Sequence, residues 1–313
     1  MFRVESRRLR VSVFGVAAIA MWIANAATVL AQQANAPNLT PSELVRATVA
    51  NEVAAANNTA VKHMFRSHRQ TPKGSQTRLY VETNDAMAGI LIAINGQPLT
   101  QQQKQAEVNH LTWLMNNPDQ LRKKQAHEKE DAERTMRIVK VLPDAFRYEY
   151  AGTEKGSPGL GKAGSPLTRL RFTPNPGYMP PSRVEQVLTG MEGYLLIDSD
   201  ARRIARIDGT LFRDVTFGWG IFGRLDEGGH FRVQQADLGD GTWEITEMDL
   251  KFTGKILLVK SINMVSDEVF SDFQREPENL TFAQGVELLK QEEQKLAAAP
   301  RPVEASQTEK SPQ

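Results

Sequence analysis

Glu192-Gly-Tyr-Leu-Leu-Ile197, Asp198-Ser-Asp200, Arg203-Ile-Ala-Arg-Ile207, Asp208-Gly209: apolar and β-branched runs alternate here with turn residues, and no helix-period stretch comes between them. The alternation continues through residues 211–217, 231–235, 242–253 and 255–264. Asp-Gly, Gly-Gly and Gly-Asp pairs accept positive φ, so between such runs they signal hairpins. Strands this close in sequence pair antiparallel, and residues 190–273 are expected to form a meander. Within it Trp243 and Ile245 hold odd positions, whereas Met248, Leu250 and Phe252 hold even ones. A period-two strand changes faces only by an extra residue, which predicts a bulge or break near Thr246-Glu247. Bulges bend sheets, and a bent antiparallel sheet with an apolar inner face is most of a barrel.

Before the meander, Thr40-Pro41-Ser42-Glu43 combines an N-cap Thr, Pro at N1 and Glu at N3. It opens an amphipathic helix through Leu44, Val45, Val49 and Val53. Residues 62–69, 77–83 and 89–94 read as strands, the last closed by the turn Asn95-Gly96-Gln-Pro98. Thr100-Gln-Gln-Gln103 is a second capping box, and Asn117-Pro118-Asp119 restarts a helix expected to stop at Pro143. Ten charged residues between Asp119 and Arg134 mark a solvated face laced with i,i+4 pairs rather than a docking site. Residues 146–150 and 167–173 read as strands around a Gly-, Ser- and Pro-rich loop at 151–166, taken as flexible. A short helix or turn at 183–188 leads into the meander, and a helix at 281–296 follows it. Residues 297–313, rich in Pro and Ala, form a disordered tail.

The first 31 residues read as an address rather than as part of the fold. Arg3, Arg7, Arg8 and Arg10 precede an apolar run at 11–23, and Val29-Leu30-Ala31 offers small residues for cleavage, with Ala24-Asn25-Ala26 as the alternative. Thirteen apolar residues are short of the roughly 20 that span a bilayer, so export with cleavage is expected, not a permanent anchor. Ser6-Arg7-Arg8 leaves general and twin-arginine export both open. Residues 32–39 are a linker to a domain at 40–296. After cleavage the chain carries 34 basic and 36 acidic side chains, which gives no excess of positive charge to displace counterions from nucleic acid. The absence of cysteine excludes a disulfide framework and a lipobox. The expected protein is soluble and exported, periplasmic or secreted.

Chemical motifs are scarce. Gly159-Leu-Gly161-Lys-Ala-Gly164 has the spacing of a dinucleotide loop, and residues 156–163 come close to a P-loop. A strand rather than a helix follows, and Ala163 offers no magnesium ligand, so both readings fail. His63, His68, His110, His127 and His230 lack the spacing of a metal site and are read as structural or surface histidines. His63 and His68, five apart in one strand, are expected on opposite faces. Asp198, Asp200, Asp208, Asp226, Asp237 and Asp240 lie in or beside expected turns, where Asp bonds its own backbone. No nucleophile elbow is present, so no enzyme, cofactor or metal is expected. Phe217-Gly-Trp219-Gly-Ile-Phe222 is either a barrel-rim turn or an apolar lip at a cavity mouth.

With these residues laid out, the chain resembles the periplasmic lipoprotein-carrier-like group, which includes outer-membrane lipoprotein-sorting proteins and sensor domains of envelope-stress regulators. The resemblance rests on the export signal, Thr77-Arg-Leu-Tyr-Val-Glu82, Ile94-Asn-Gly96-Gln-Pro-Leu99, Gly193-Tyr-Leu-Leu-Ile-Asp198, Arg203-Ile-Ala-Arg-Ile207 and Gly254-Lys-Ile-Leu-Leu-Val-Lys260. It implies an α+β fold: a curved antiparallel β half-barrel with helices across its concave face, enclosing a hydrophobic cavity. Residues 100–142 and the 151–166 loop then look like additions, and no counterpart of the carriers' ligand-gating arginine can be placed. The expected function is a carrier or binder of a lipid-like or lipoprotein acyl ligand in the cell envelope. The alternative is a sensor or interaction module for envelope proteins on the same scaffold. Tyr80, Ile92, Leu196, Phe217, Trp219, Trp243, Leu250 and Ile256 are expected among the core or cavity lining.

Overall fold

The computed structural model describes residues 39–58, 60–217, 223–256 and 260–298. The expected export signal, nearly all of the expected linker, the 218–222 run with Trp219, and all but two residues of the expected tail lie outside the described residues.

Among the described residues thirteen strands form one antiparallel sheet, a curved half-barrel that does not close. They are β1 (Lys62–Thr71), β2 (Gly74–Val81), β3 (Ala88–Ile94), β4 (Gln97–Pro98), β5 (Phe146–Lys155), β6 (Pro166–Pro174), β7 (Met191–Asp198) and β8 (Arg203–Leu211). The others are β9 (Val215–Phe217), β10 (Gly223–Leu225), β11 (His230–Asp237), β12 (Trp243–Ile256) and β13 (Lys260–Glu276). Among the described residues five helices accompany them: α1 (Pro41–Ala56), α2 (Gln101–Asn116), α3 (Pro118–Ala145), α4 (Arg183–Gln186) and α5 (Phe282–Ala298). The order across the sheet is β4-β3-β2-β1-β13-β12-β11-β8-β7-β6-β5, with β9 and β10 joined as a side hairpin to β12. The 190–273 meander is thus the middle of the sheet, and β13 receives β1 on its far side.

This order gives the helical stretch its task. The chain leaves the sheet at the β4 edge and re-enters at β5, the opposite edge. With 28 residues at about 1.5 Å rise, α3 extends about 42 Å along that return. Thr100 and Gln103 form both halves of the capping box that starts α2. Pro143 lies in the last turn of α3, and the helix continues to Ala145 rather than ending before the proline. Near a C-terminus Pro removes only one of the final backbone bonds, so the boundary moves by two residues.

Ladder pairing carries each face across the sheet. Leu195, Ile207, Val233 and Met248 are successive cross-strand partners and share one face. The same face continues through Glu268 and Phe270 to Phe65 and Tyr80. Over it lie α1, the second half of α3, and α4. Tyr148 on this side donates its hydroxyl to Leu142 O of α3 at 2.8 Å, satisfying the one polar atom of a buried ring. The opposite face is covered at its β1–β3 end, where Leu79, Val81 and Ile90 pack with Leu111 of α2 and Phe282, Val286 and Leu289 of α5. Helices are therefore divided between the two faces.

Thr246 is the extra residue of a bulge: Gln234 pairs with Glu247, but Gln235 pairs with Ile245. Its hydroxyl donates to Gly159 O at 2.6 Å. Gln234 Nε2 donates to the same carbonyl at 2.8 Å, and Gly161 exchanges backbone bonds with Gln235 and Asp237. Composition predicts a free loop from residue 151, yet β5 runs to Lys155 and the tip docks on the sheet. Backbone amides and carbonyls find partners there that side-chain composition does not reveal.

Two expected turns are absent for a steric reason. Asp208-Gly209 lies inside β8, and Gly254 lies inside β12. A Cβ on Gly209 would stand 2.5 Å from Phe231 Cε1, and one on Gly254 would stand 2.2 Å from Arg224 O. Each glycine admits a close neighbour within the sheet rather than reversing the chain. Consequently Lys255 and Ile256 end β12, and Lys260 opens β13.

Candidate functional site

The face under α1 and α4 holds two cavities of different chemistry. The first, about 550 Å³, is lined chiefly by Met191, Phe217, Phe231, Leu250, Phe252 and Ile262 of the sheet. Ile138 of α3, with Val184 and Val187 of the α4 segment, covers it. Phe231 lies over Gly209, and Phe252 over Gly229, where a Cβ would come within 2.6 Å of the ring. Paired glycine and aromatic positions let rings lie against the sheet and leave space above them. Arg183, Arg224 and Lys255 provide the cationic part of the lining. Arg224 is held by Asp214 at 3.3 Å and Asp226 at 2.9 Å.

The second cavity, about 480 Å³, lies between α1, α3 and strands β8, β11 and β12. Met136, Val139, Ile207, Val233 and Trp243 give it an apolar body, while Glu52, Glu82, Glu244 and Arg203 give it charged walls. Glu52 ties α1 to the sheet: its carboxylate accepts from Arg203 Nε and Nη2 at 3.0 and 3.1 Å, from Ile204 N at 2.7 Å and from Gln235 Nε2 at 3.0 Å. The Arg203 guanidinium also lies 5.4 Å from the Trp243 ring centroid.

His63 is buried at one end of this second cavity, only 2% exposed. Its Nε2 is 3.0 Å from Asp240 Oδ2, and Thr242 Oγ1 donates to Asp240 Oδ1 at 2.5 Å. Its Nδ1 has no hydrogen-bond partner and stands 3.5 Å from Glu244 Oε1 and 3.7 Å from Glu82 Oε2. Burial, reinforced by repulsion from Glu82, pushes the Glu244 carboxyl up to about 7 despite the opposing pull of His63. Asp240 goes the other way. Burial raises it, but hydrogen bonds from Thr242 and His63 outweigh that and hold it down at about 2.

The sequence-predicted positions separate. Phe217 and Leu250 meet in the first cavity, and Trp243 lines the second. Ile92 packs instead on the α2–α5 cluster of the opposite face. Leu196 is buried with Leu160, Leu167 and Ala205, beneath the docked 156–164 tip. Tyr80 packs against Phe65, ring centroids 5.5 Å apart and planes tilted by 31°, and lines neither cavity. Ile256 pairs with Gly223 and Lys260 at the end of β12, its side chain outside the described residues, as is Trp219. Phe231 and Phe252 were within reach of the pattern, since Phe252 shares the parity of Leu250 and Phe231 faces Leu250 across the β11–β12 ladder. The His63 group had no such signal: its members come from β1, the end of β2, the 239–242 turn and β12.

Other expectations on single residues resolve simply. Asp198, Asp237 and Asp240 accept from backbone N–H groups two residues on, as turn residues do. Asp208 instead accepts from Arg232 Nε at 2.9 Å across the ladder. The charged face of α3 carries i,i+4 pairs such as Lys129–Glu133 and Glu130–Arg134. Among the described residues no group of three or more His, Asp or Glu has an arrangement that could hold a metal ion. No described helix is long and apolar enough to cross a membrane.

No protein-family model matches this chain, and no curated protein matches it. Two solved structures are loosely similar to it. One is a domain named as an outer membrane lipoprotein-sorting protein from Vibrio parahaemolyticus, with 10% identity and a TM-score of 0.28, covering 78% of this chain and 97% of that one. The other is a DUF1329 family protein from Desulfovibrio piger, with 12% identity and a TM-score of 0.24, covering 78% and 96%. Similarities this loose assign neither a family nor a function.

Proposed function

We propose that this protein is an exported, soluble carrier or binder of a lipid-like ligand, and that the first cavity receives the ligand's acyl chain. The observation that carries this reading is the cavity of about 550 Å³ walled by Met191, Phe231, Leu250, Phe252 and Ile262. Its volume lies within the roughly 300–1,000 Å³ of small-molecule sites. Moving an acyl chain out of water is worth about 0.8 kcal/mol per methylene, so a carrier must enclose its load. A side-chain lining with so few polar atoms suits a hydrocarbon better than a reacting group. We therefore read the site as binding rather than catalytic.

The test is native mass spectrometry of protein purified after expression of the full chain with export, followed by organic extraction of whatever accompanies it. The expected result is a stoichiometric lipid-like adduct whose removal lowers Tm. Leu250→Trp, which fills the cavity from its wall, is expected to abolish the adduct while the far-ultraviolet circular dichroism stays unchanged. A clean apo mass that does not shift on adding lipid or detergent would overturn the carrier and leave the sensor or interaction module.

A further inference from the structure

The open sheet has two edges, and the chain treats them differently. At the β3–β4 edge, β4 pairs with Ala93 and Ile94, and Leu99 N donates to Ile92 O at 3.4 Å. Carboxylates from two helices add to that cover: Glu107 of α2 accepts from Leu91 N and Glu128 of α3 from Met87 N, each at 3.0 Å. Bare edge strands recruit other strands, and such caps oppose it. At the other edge, Asn175 N donates to Ala145 O at 2.8 Å in the register of the β5–β6 ladder, which fixes the phase of its alternating bonds. Arg147 and Glu149 therefore exchange backbone bonds with β6, while Phe146 and Tyr148 turn their amides and carbonyls to the open edge. Pro174 opposite Phe146 fits that phase, because a residue without an N–H costs the ladder nothing there. Among the described residues no side chain caps the Tyr148 backbone.

Between the end of α3 at Ala145 and the irregularity after Tyr150, the straight part of β5 is residues 146–150, and its midpoint is Tyr148. Two copies paired antiparallel about a twofold axis at Tyr148 set its outward amide and carbonyl against those of its counterpart. The same register places Arg147 of each copy opposite Glu149 of the other, at the closely spaced positions where Cα atoms are about 4.5 Å apart. Both side chains are exposed, and neither makes an ion pair among the described residues. Arg171, opposite Glu149 on β6, turns instead to Glu192 at 3.9 Å. Sliding the pairing by one step that keeps the bonding phase brings Arg147 against Arg147, or Glu149 against Glu149, so charge selects the central register. We propose that the β5 edge is the contact of a homodimer, in which a second copy of this chain pairs in that register. The contact lies apart from both cavities, and the proposal does not depend on what they bind.

The experiment is sedimentation velocity over a concentration series, on protein purified after expression of the full chain with export. A reversible monomer–dimer equilibrium is expected. Arg147→Glu and Glu149→Arg each set like charges opposite one another at both ends of the contact, and each is expected to weaken the dimer about tenfold or more. An equimolar mixture of these two variants is expected to recover the original affinity, because every Glu then meets an Arg across the axis. A monomer at every concentration would overturn the proposal. So would a dimer indifferent to both reversals, or a mixture that associates no better than its components. Amide exchange of the unsubstituted protein needs no variant, so a misfolded substitution does not blunt the test. The Tyr148 amide should exchange more slowly as concentration rises, and a rate independent of concentration would place any dimer contact elsewhere and overturn the assignment.

Discussion

Replacing Glu52 by Ala removes the residue that clamps α1 onto the sheet, and the cost can be assembled from its partners. The carboxylate accepts two hydrogen bonds from Arg203, one from the Ile204 backbone at 2.7 Å and one from Gln235. The Arg203 and Glu52 side chains are 15% and 12% exposed, so the pair is largely desolvated. Removing one member of a buried pair costs about 3–5 kcal/mol, because the other charge is stranded. Residual solvent access places this pair at the lower end. The Ile204 N–H then loses its acceptor, at about 1 kcal/mol or more. A total of about 4 kcal/mol corresponds to a Tm lower by roughly 8–16 °C for a domain of this size. Urea denaturation followed by circular dichroism measures it directly. Glu52→Gln, which keeps the shape and an acceptor, should lose about half as much. The double variant Glu52→Ala with Arg203→Met removes the stranded guanidinium and should be more stable than Glu52→Ala alone by about 1–2 kcal/mol. A Glu52→Ala loss below about 1 kcal/mol would refute the reasoning, as would strict additivity of the two substitutions.

Three further outcomes follow from local geometry. Gly193→Ala places a Cβ 2.0 Å from Asp208 O, a backbone atom that cannot turn aside, and should cost about 3 kcal/mol in urea denaturation; an unchanged midpoint would show that β7 and β8 separate freely. Thr246→Val removes the 2.6 Å hydrogen bond to Gly159 O; we expect about 1 kcal/mol and faster amide exchange confined to residues 156–164, and exchange that does not change would remove the pin. Glu244 has its folded carboxyl raised to about 7 from 4.5 by burial and by Glu82, with His63 and Arg203 opposing and Asp240 assisting. Between those two pH values the folded state holds more protons than the unfolded one, so this group's contribution to stability is present at low pH and is lost as pH rises toward 7. Glu244→Gln should flatten that decline and stabilise the protein at pH 8 by on the order of 2 kcal/mol, with no difference near pH 4. Parallel pH–stability curves for the two proteins would contradict it.

The amino-acid sequence alone determined the elements governed by neighbours along the chain. Thr100 and Gln103 cap α2 because both partners lie within one helical turn. The parity change between Ile245 and Met248 located the Thr246 bulge, because a strand's period of two leaves no other way to turn both sets inward. Asx-turn chemistry at Asp198, Asp237 and Asp240 was legible for the same local reason. Only the tertiary structure decided what each glycine is for. Gly209 and Gly254 have the composition of turns, but their neighbours Phe231 and Arg224 arrive from other strands and make them points of close approach. It also decided which face each apolar residue joins: Leu250 lines a cavity, whereas Tyr80 and Leu196 pack elsewhere. Periodicity assigns a residue to a face, and pairing across the whole sheet decides what covers that face. The His63, Glu82, Asp240 and Glu244 group lay furthest from the pattern, since Asp240 is 177 residues from His63 and they meet only when β13 pairs with β1.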